Sequence, residues 1–118
     1  MSNDFLIEDF LRARLADLLD VPVGLQEPQP PAQRYVVLQK TGSRCVNYLH
    51  SASFAVQSCA PTKAGAAELN EQAKAALLRL LELDNISKVD IETDYDFTDP
   101  ARKVARWQAL VRLTYYPW

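Results

Sequence analysis

The sequence predicts an α+β domain with two layers: two helices packed on one twisted, mostly antiparallel sheet of about five strands, with a long C-terminal β-hairpin. Two stretches have the apolar spacing of helices, and five have the character of strands. The predicted order is helix, three strands, helix, two strands, which suits helices gathered on one face of a single sheet. At 118 residues the chain has room for one domain with one core, spanning residues 1–118.

The first predicted helix lies near the N terminus, where apolar residues recur three or four positions apart. They are Ile7, Leu11, Leu15 and Leu18. This spacing predicts an amphipathic helix of about four turns, with Ser2, Asn3 and Asp4 as possible caps. We expect the helix to end before Pro22, because a residue that precedes proline is pushed out of the helical region.

Three strands are predicted in the first half of the chain. Val21–Leu25 can form a short strand, which Pro22 marks as an edge strand or a strand start. The proline-bearing segment Gln26–Gln33 then serves as a stiff connector. Tyr35–Thr41 is apolar on both faces, as in an interior strand. A turn is expected around Gly42, over Thr41–Arg44, before a third strand at Leu49–Ala60.

The second predicted helix follows Pro61 and Thr62 and is the longest in the chain. Its apolar face is predicted to consist of Leu69, Ala73, Leu77, Leu80 and Leu81. We expect it to end near Asn85, because asparagine can adopt the left-handed conformation that closes a helix.

The last third of the chain predicts a long antiparallel ribbon. From Val89 to Phe97 the odd positions are apolar or Thr and the even positions are acidic, and a second alternating run covers Ala105–Tyr115. Thr98–Ala101 supplies the turn. Because strand side chains alternate between faces, the ribbon has one apolar face and one polar face that points to solvent. An isolated hairpin is marginally stable, so helices of the same chain must cover the apolar face, or another subunit must cover the edge.

This ribbon is long enough to project past the helices, which makes its aromatic residues candidates for subunit contacts. Tyr95 and Phe97 lie at its predicted tip among acids, where they either contact a neighbouring subunit or fold back on the ribbon. The same candidate set includes Trp107, and Val21 and Val23 of the proline-bearing strand.

Composition and charge exclude several classes of function. The formal net charge of −2 offers no electrostatic case for wrapping nucleic acid. The first residues lack a basic region followed by an apolar one, and no stretch is apolar enough to span a membrane, so we expect no membrane role and a cytoplasmic location. Cys45 and Cys59 lie fourteen positions apart, without a metal-ligand spacing, so we expect reduced thiols and no bound zinc.

The sequence predicts no catalytic, cofactor or metal site. His50 is the only histidine, and its neighbourhood in the sequence supplies no nucleophile with an orienting carboxylate. The acids of Val89–Phe97 would line up along a strand, whereas divalent cations need oxygen ligands that converge on one point. We therefore expect a protein that acts through shape and contact rather than as an enzyme.

Several motifs together resemble the small tail-completion proteins of siphophages and prophages, which are similar to tail terminators. The likeness covers most of the chain and consists of the opening helix with Asp20–Val23, then Tyr35–Gly42, Ala52–Ser58, Ala66–Glu71, and Asp94–Asp99 before Arg106–Ala109. The final residues, Tyr115–Trp118, differ from the more polar end of that pattern.

The resemblance implies a homo-hexameric ring in the tail or neck of a virion, assembled in the cytoplasm of the bacterial host. Such a ring stops polymerisation of the tail tube protein and offers a docking face to the head connector protein, while DNA passes through its lumen. Residues that could face that lumen, if they are not ordinary solvated charges, are Arg34, Lys40, Arg44, Arg102 and Lys103. The alternatives are a connector or stopper protein of the neck, and a small adaptor that binds a protein partner by strand addition.

Overall fold

The computed structural model describes residues 6–30 and 32–116, and it has the predicted α+β architecture of two helices and one five-stranded sheet. The elements in chain order are α1 (Ile7–Leu18), β1 (Val23–Gly24), β2 (Tyr35–Val46), β3 (Leu49–Ala60), α2 (Lys63–Arg79), a 3₁₀ turn (Leu80–Glu82), β4 (Ile86–Asp96) and β5 (Ala105–Tyr115). The possible caps Ser2, Asn3 and Asp4 lie outside the described residues.

The strands are ordered β1-β2-β3-β5-β4 across the sheet. Among the described strands only β1 and β2 are parallel, and β1 pairs there only with Val36 and Val37. Because β5 lies between β3 and β4, β4 is an edge strand along its whole length. The β2–β3 turn lies at one end of the sheet, which we call the turn end, and the β4–β5 loop lies at the other, the loop end.

Both helices pack on the same face of the sheet, which we call the helix face. The core joins Leu11 and Leu15 of α1 to Leu69 and Leu77 of α2 around Phe54, all fully buried. At the start of α2, the Gly65 amide donates to the Thr62 hydroxyl oxygen at 3.0 Å, so Thr62 caps the helix. The apolar spacing of both helices correctly predicted these buried residues; Leu81 at the end of the second predicted face is the exception described below.

The predicted turn around Gly42 is wrong, because β2 continues through it to Val46. The pairing of β2 with β3 shifts between Lys40 and Gly42, so that this segment forms a β-bulge. The chain reverses at Asn47 and Tyr48, whose φ angles are 51° and 68°. Two consecutive positive φ angles are typical of the type I′ turn that joins the strands of a tight hairpin.

The predicted alternation of β4 holds only up to Ile91. Val89 and Ile91 lie opposite Leu113 and Val111 on the helix face, as expected. The register then shifts between Ile91 and Thr93, which places Asp94 opposite Ala109 on the helix face. A shift of one residue turns every later side chain to the other face. Thr93 and Tyr95 therefore lie on the opposite, open face of the sheet.

The end of α2 also differs from the prediction. The helix tightens into the 3₁₀ turn, which tilts Leu81 out of the core and leaves it 49% exposed. Asn85 does not take the left-handed conformation; the chain instead leaves the turn through an extended Leu83.

Candidate assembly surfaces

The distal part of the β2–β3 hairpin, Gln39–Leu49, has few contacts with the rest of the protomer. We call this segment the arm. Every one of its residues is exposed, including those that point to the helix face. β1 pairs with β2 only as far as Val37, and within the described chain nothing pairs with the outer edge of the arm beyond it. The arm is therefore a ribbon with one free edge and little side-chain burial.

The tip of the arm displays apolar side chains. Tyr48 is 89% exposed, and Val46 and Leu49 beside it are also exposed. Positive φ is unfavourable for a bulky residue, and glycine is preferred at such a position of a type I′ turn. The tip therefore holds an aromatic ring in solvent at a cost in backbone strain, a combination that accompanies functional positions.

A concave site lies at the base of the arm, between β2, β3 and the start of α1. It has a volume of about 260 Å³. The Lys40 ammonium pairs with the Glu8 carboxylate at 3.4 Å, and Cys45 Sγ lies 3.6 Å from His50 Nε2. His50 also contacts the ring of Tyr115, whose pKa is raised by burial.

Sequence reasoning noted that Cys45 lies five positions before His50 but predicted no contact between them, and the hairpin brings them together. They form a directly opposite cross-strand pair next to the turn. Placing the turn at Asn47 and Tyr48 would have revealed this pair, because the two residues then lie opposite each other. The predicted turn instead lies around Gly42, about five residues too early. Within residues 6–30 and 32–116 no group of three or more His, Cys, Asp or Glu side chains is placed to hold a metal ion.

On the open face, a chain of hydrogen bonds crosses three strands towards the loop end. Gln57 Nε2 donates to Gln108 Oε1 at 2.9 Å, and Gln108 Nε2 donates to the Tyr95 hydroxyl at 2.7 Å. Tyr95 meets Phe97 edge to face at 5.9 Å between ring centroids, and the Arg106 guanidinium lies 4.8 Å from the Phe97 ring centroid. Tyr95 and Phe97, two of the three predicted contact aromatics, thus lie side by side along the ribbon, 37% and 42% exposed.

The other three predicted contact residues lie elsewhere. Trp107 is half-buried on the helix face, against a small cluster that contains Ala60 and Ala66. Val21 and Val23 belong to the main core, each only 9% exposed. Both side chains are buried in the protomer's own core, because α1 and β1 pack together there. The five predicted contact residues therefore do not form one surface.

The five cations predicted as lumen candidates divide between the two ends of the sheet. Lys40 and Arg44 lie on the arm, while Arg34, Arg102 and Lys103 lie near the loop end. Two of them are neutralised within the protomer, Lys40 by Glu8 and Arg102 by Glu27. The five residues therefore do not form one basic patch on a protomer.

Glu27 also anchors the proline-bearing connector to the sheet. The Tyr35 hydroxyl donates to its carboxylate at 3.4 Å, beside the Arg102 guanidinium. Burial raises the pKa of Tyr35 to about 12 and also raises the pKa of the neighbouring Cys59 thiol. A groove of about 340 Å³ runs between these residues and the open face.

The β4 bulge is held by a polar cluster beneath α2 that sequence reasoning missed. Asn70, fully buried on α2, donates from Nδ2 to Asp94 Oδ2 at 2.6 Å, and the Lys74 ammonium lies 2.9 Å from the same oxygen. The Lys74 hydrogen bond, with Asn70 contributing, lowers the pKa of Asp94. The cluster satisfies an acid that the bulge has turned towards the helices.

Comparison with known proteins does not assign this chain to a family. No family model matches the chain, and no curated protein matches it significantly. Among the described residues, no helix is both long and apolar enough to cross a lipid bilayer.

Proposed function

We propose that this protein is a structural assembly component that resembles phage tail terminators. In this proposal it forms a ring, as a homo-hexamer, that caps the head-proximal end of the tail tube and joins the tail to the head connector. It acts in the tail or neck of the virion, is assembled in the cytoplasm of a bacterial host, and leaves a lumen through which DNA passes. In this proposal it acts through contacts alone and needs no catalytic site, cofactor or membrane partner.

The observation that carries the proposal is the arm with its exposed apolar tip. An isolated protomer gains no stability from Tyr48 at 89% exposure and positive φ, because the tyrosine side chain buries almost no area there. A protein partner that covers the tip would give this aromatic side chain a function, since aromatic side chains are enriched where proteins bind. The C-terminal ribbon lends less support, because β4 and β5 are paired within the sheet over their length.

The resemblance in the sequence supplies the kind of assembly. Its motifs fall on real elements of the fold: Tyr35–Gly42 lies in β2, Ala52–Ser58 in β3 and Ala66–Glu71 in α2. A ring requires a patch on each subunit to meet a different patch on the next, and the two edges of this sheet differ in length, neighbours and charge. Two unlike edges suit such a head-to-tail contact.

The test is the size of the purified full chain and its affinity for tail tubes. We expect light scattering to give six times the monomer mass, alone or after addition of tail tubes, and negative-stain images to show rings at tube ends. A strict monomer at high concentration with no affinity for tubes would remove the proposal.

A matched pair of variants sharpens this test. Tyr48→Ser removes the aromatic side chain at the arm tip and is expected to weaken assembly or tube binding. Leu78→Ser removes an exposed apolar side chain from α2 and is expected to leave both unchanged. Equal effects of the two substitutions would mean that exposed apolar area in general, and not the arm, drives association.

Strand addition is the alternative that one observation favours, because the outer edge of β4 is unpaired from Ile86 to Asp96. In that case the protein is a small adaptor that stays monomeric alone and forms one-to-one complexes with an unrelated protein. A neck connector or stopper would also form rings, but it would bind head connectors and not bare tail tubes.

A further inference from the structure

The two outer edges of the sheet carry opposite charge. The arm has two cations, Lys40 and Arg44, and no acid. The opposite edge, β4, has four acids, Asp90, Glu92, Asp94 and Asp96, against the single cation Lys88. Both edges are also free of strand partners within the described chain, so charge and unpaired backbone occur together at each.

Part of this charge is already neutralised inside the protomer. Lys40 pairs with Glu8, Glu92 with Arg112, Asp94 with Lys74 and Asp96 with Lys63, at distances of 2.9–3.4 Å. Among the described residues, Arg44 on the arm and Lys88 and Asp90 on β4 make no ion pair, and all three are exposed. The arm thus keeps an unpaired cation for contacts outside the protomer, and β4 keeps the unpaired acid Asp90 beside Lys88.

The charges also restrict which edges can meet. Two arms side by side would place cation against cation, and two β4 edges would place acid against acid. Like charges across an interface cost several kcal/mol, whereas unlike charges steer association. Pairing an arm with a β4 edge instead sets edges of opposite net charge against each other, in a head-to-tail contact that repeats from copy to copy.

We propose that the arm of one copy packs along the β4 edge of the next copy, with Arg44 facing the acids around Asp90. The occupant of each edge is a second copy of this chain. The inference rests on the proposed function only in that copies assemble; it adds which surfaces meet and in which sense. The apolar tip of the arm extends past this charged contact and buries Val46, Tyr48 and Leu49 on the neighbour.

Two charge-reversal variants test the contact. The arm variant, Thr41→Glu/Arg44→Glu, makes the arm acidic while leaving the Lys40–Glu8 pair intact. The edge variant, Asp90→Lys/Glu92→Lys, makes β4 basic. The substituted side chains are all exposed, so both variants are expected to fold, which circular dichroism and thermal melts check.

Each variant alone should assemble poorly, because its own arm and edge now carry like charge. We expect the protein concentration at half-assembly to rise roughly 10- to 100-fold for either variant by itself. An equimolar mixture should assemble again, since the acidic arm of one variant faces the basic edge of the other. The restored particles should contain the two variants in equal numbers, which native mass spectrometry measures.

The control is Glu68→Lys on α2, an exposed charge away from both edges that should leave assembly unchanged. Wild-type assembly with both reversal variants assembling equally well would overturn the inference and leave the proposed function standing. Two defective variants that do not restore each other would overturn it as well. Monomeric wild-type protein without affinity for tubes would overturn both.

Discussion

The two hairpins of this protein have similar length but opposite relations to the core. In the C-terminal hairpin, β5 is a central strand that buries Val111 and Leu113 completely, and β4 pairs with it from Ile86 to Asp96. In the N-terminal hairpin, β3 is equally central, but the arm half of β2 has no partner beyond it among the described residues, and every one of its residues is exposed. Alternating hydrophobicity marks the ribbon that the protomer itself needs, and exposed apolar residues at a strained turn mark the ribbon that is free for partners.

The largest expected effect separates the two hairpins by stability. Leu113→Ala in β5 empties a fully buried site and should lower the free energy of unfolding by about 2–5 kcal/mol. Leu49→Ala in the arm should cost less, at most about 1 kcal/mol, because that side chain is 40% exposed. Urea unfolding measures both, and equal losses would contradict the division between a supporting and a projecting hairpin.

The polar cluster at the β4 bulge should show the next largest effect. Asp94→Ala removes the partner of buried Asn70 and of Lys74 and should cost about 1–2 kcal/mol of unfolding free energy. Glu71→Ala removes the more exposed partner of Lys74 and should cost less than about 0.5 kcal/mol. Chemical unfolding at neutral pH tests the difference.

The same cluster predicts a pH dependence. The folded-state pKa of Asp94 lies below its ordinary value of 3.8, so its contribution is fully present above that pH and is lost as the pH falls through the lowered pKa. The stability difference between wild type and Asp94→Ala should therefore shrink below about pH 4. A difference that stays constant down to pH 2 would show that packing, and not the carboxylate charge, holds the bulge.

At the arm tip we expect stability and assembly to change in opposite directions. Tyr48→Gly relieves a positive φ and should raise the free energy of unfolding by about 0.5–1 kcal/mol, while it removes the exposed ring. Thermal melts and light scattering on the same samples measure the two quantities. If the variant is stabilised and its assembly is unchanged, the Tyr48 side chain takes no part in the contact.

The smallest expected effect concerns the two thiols. Cys45 on the arm should react with a thiol reagent in the native protein, whereas Cys59, buried against Tyr35, should react only after unfolding. Cys45→Ser should change the unfolding free energy by less than about 0.5 kcal/mol. Protection of Cys45 that appears only at assembling concentrations would place the base of the arm in the contact; protection in a monomer would contradict the exposed arm.

Most of the fold could be predicted because its signals are local. Helical spacing in Ile7–Leu18 and around Leu69 and Leu77 placed both helices and their buried faces, and the apolar run from Tyr35 marked the start of β2. The candidate site was harder to predict. The bulges of β2 and β4 and the turn at Asn47 and Tyr48 depend on pairing between strands, which is not visible in the residues of one strand.

Burial periodicity is written into the chain itself, because a helix or strand must present one apolar stripe or face to a core wherever that core lies. That is why class, element order and core residues follow from the residues alone. The residues of one strand do not determine its position in the sheet. β4 lies at one edge because β5 is inserted between β3 and β4, and the arm is unpaired at the other edge because β1 is short. Edges arise from competition among all the strands for hydrogen-bond partners, so the surfaces proposed for assembly emerge only when the whole sheet is folded.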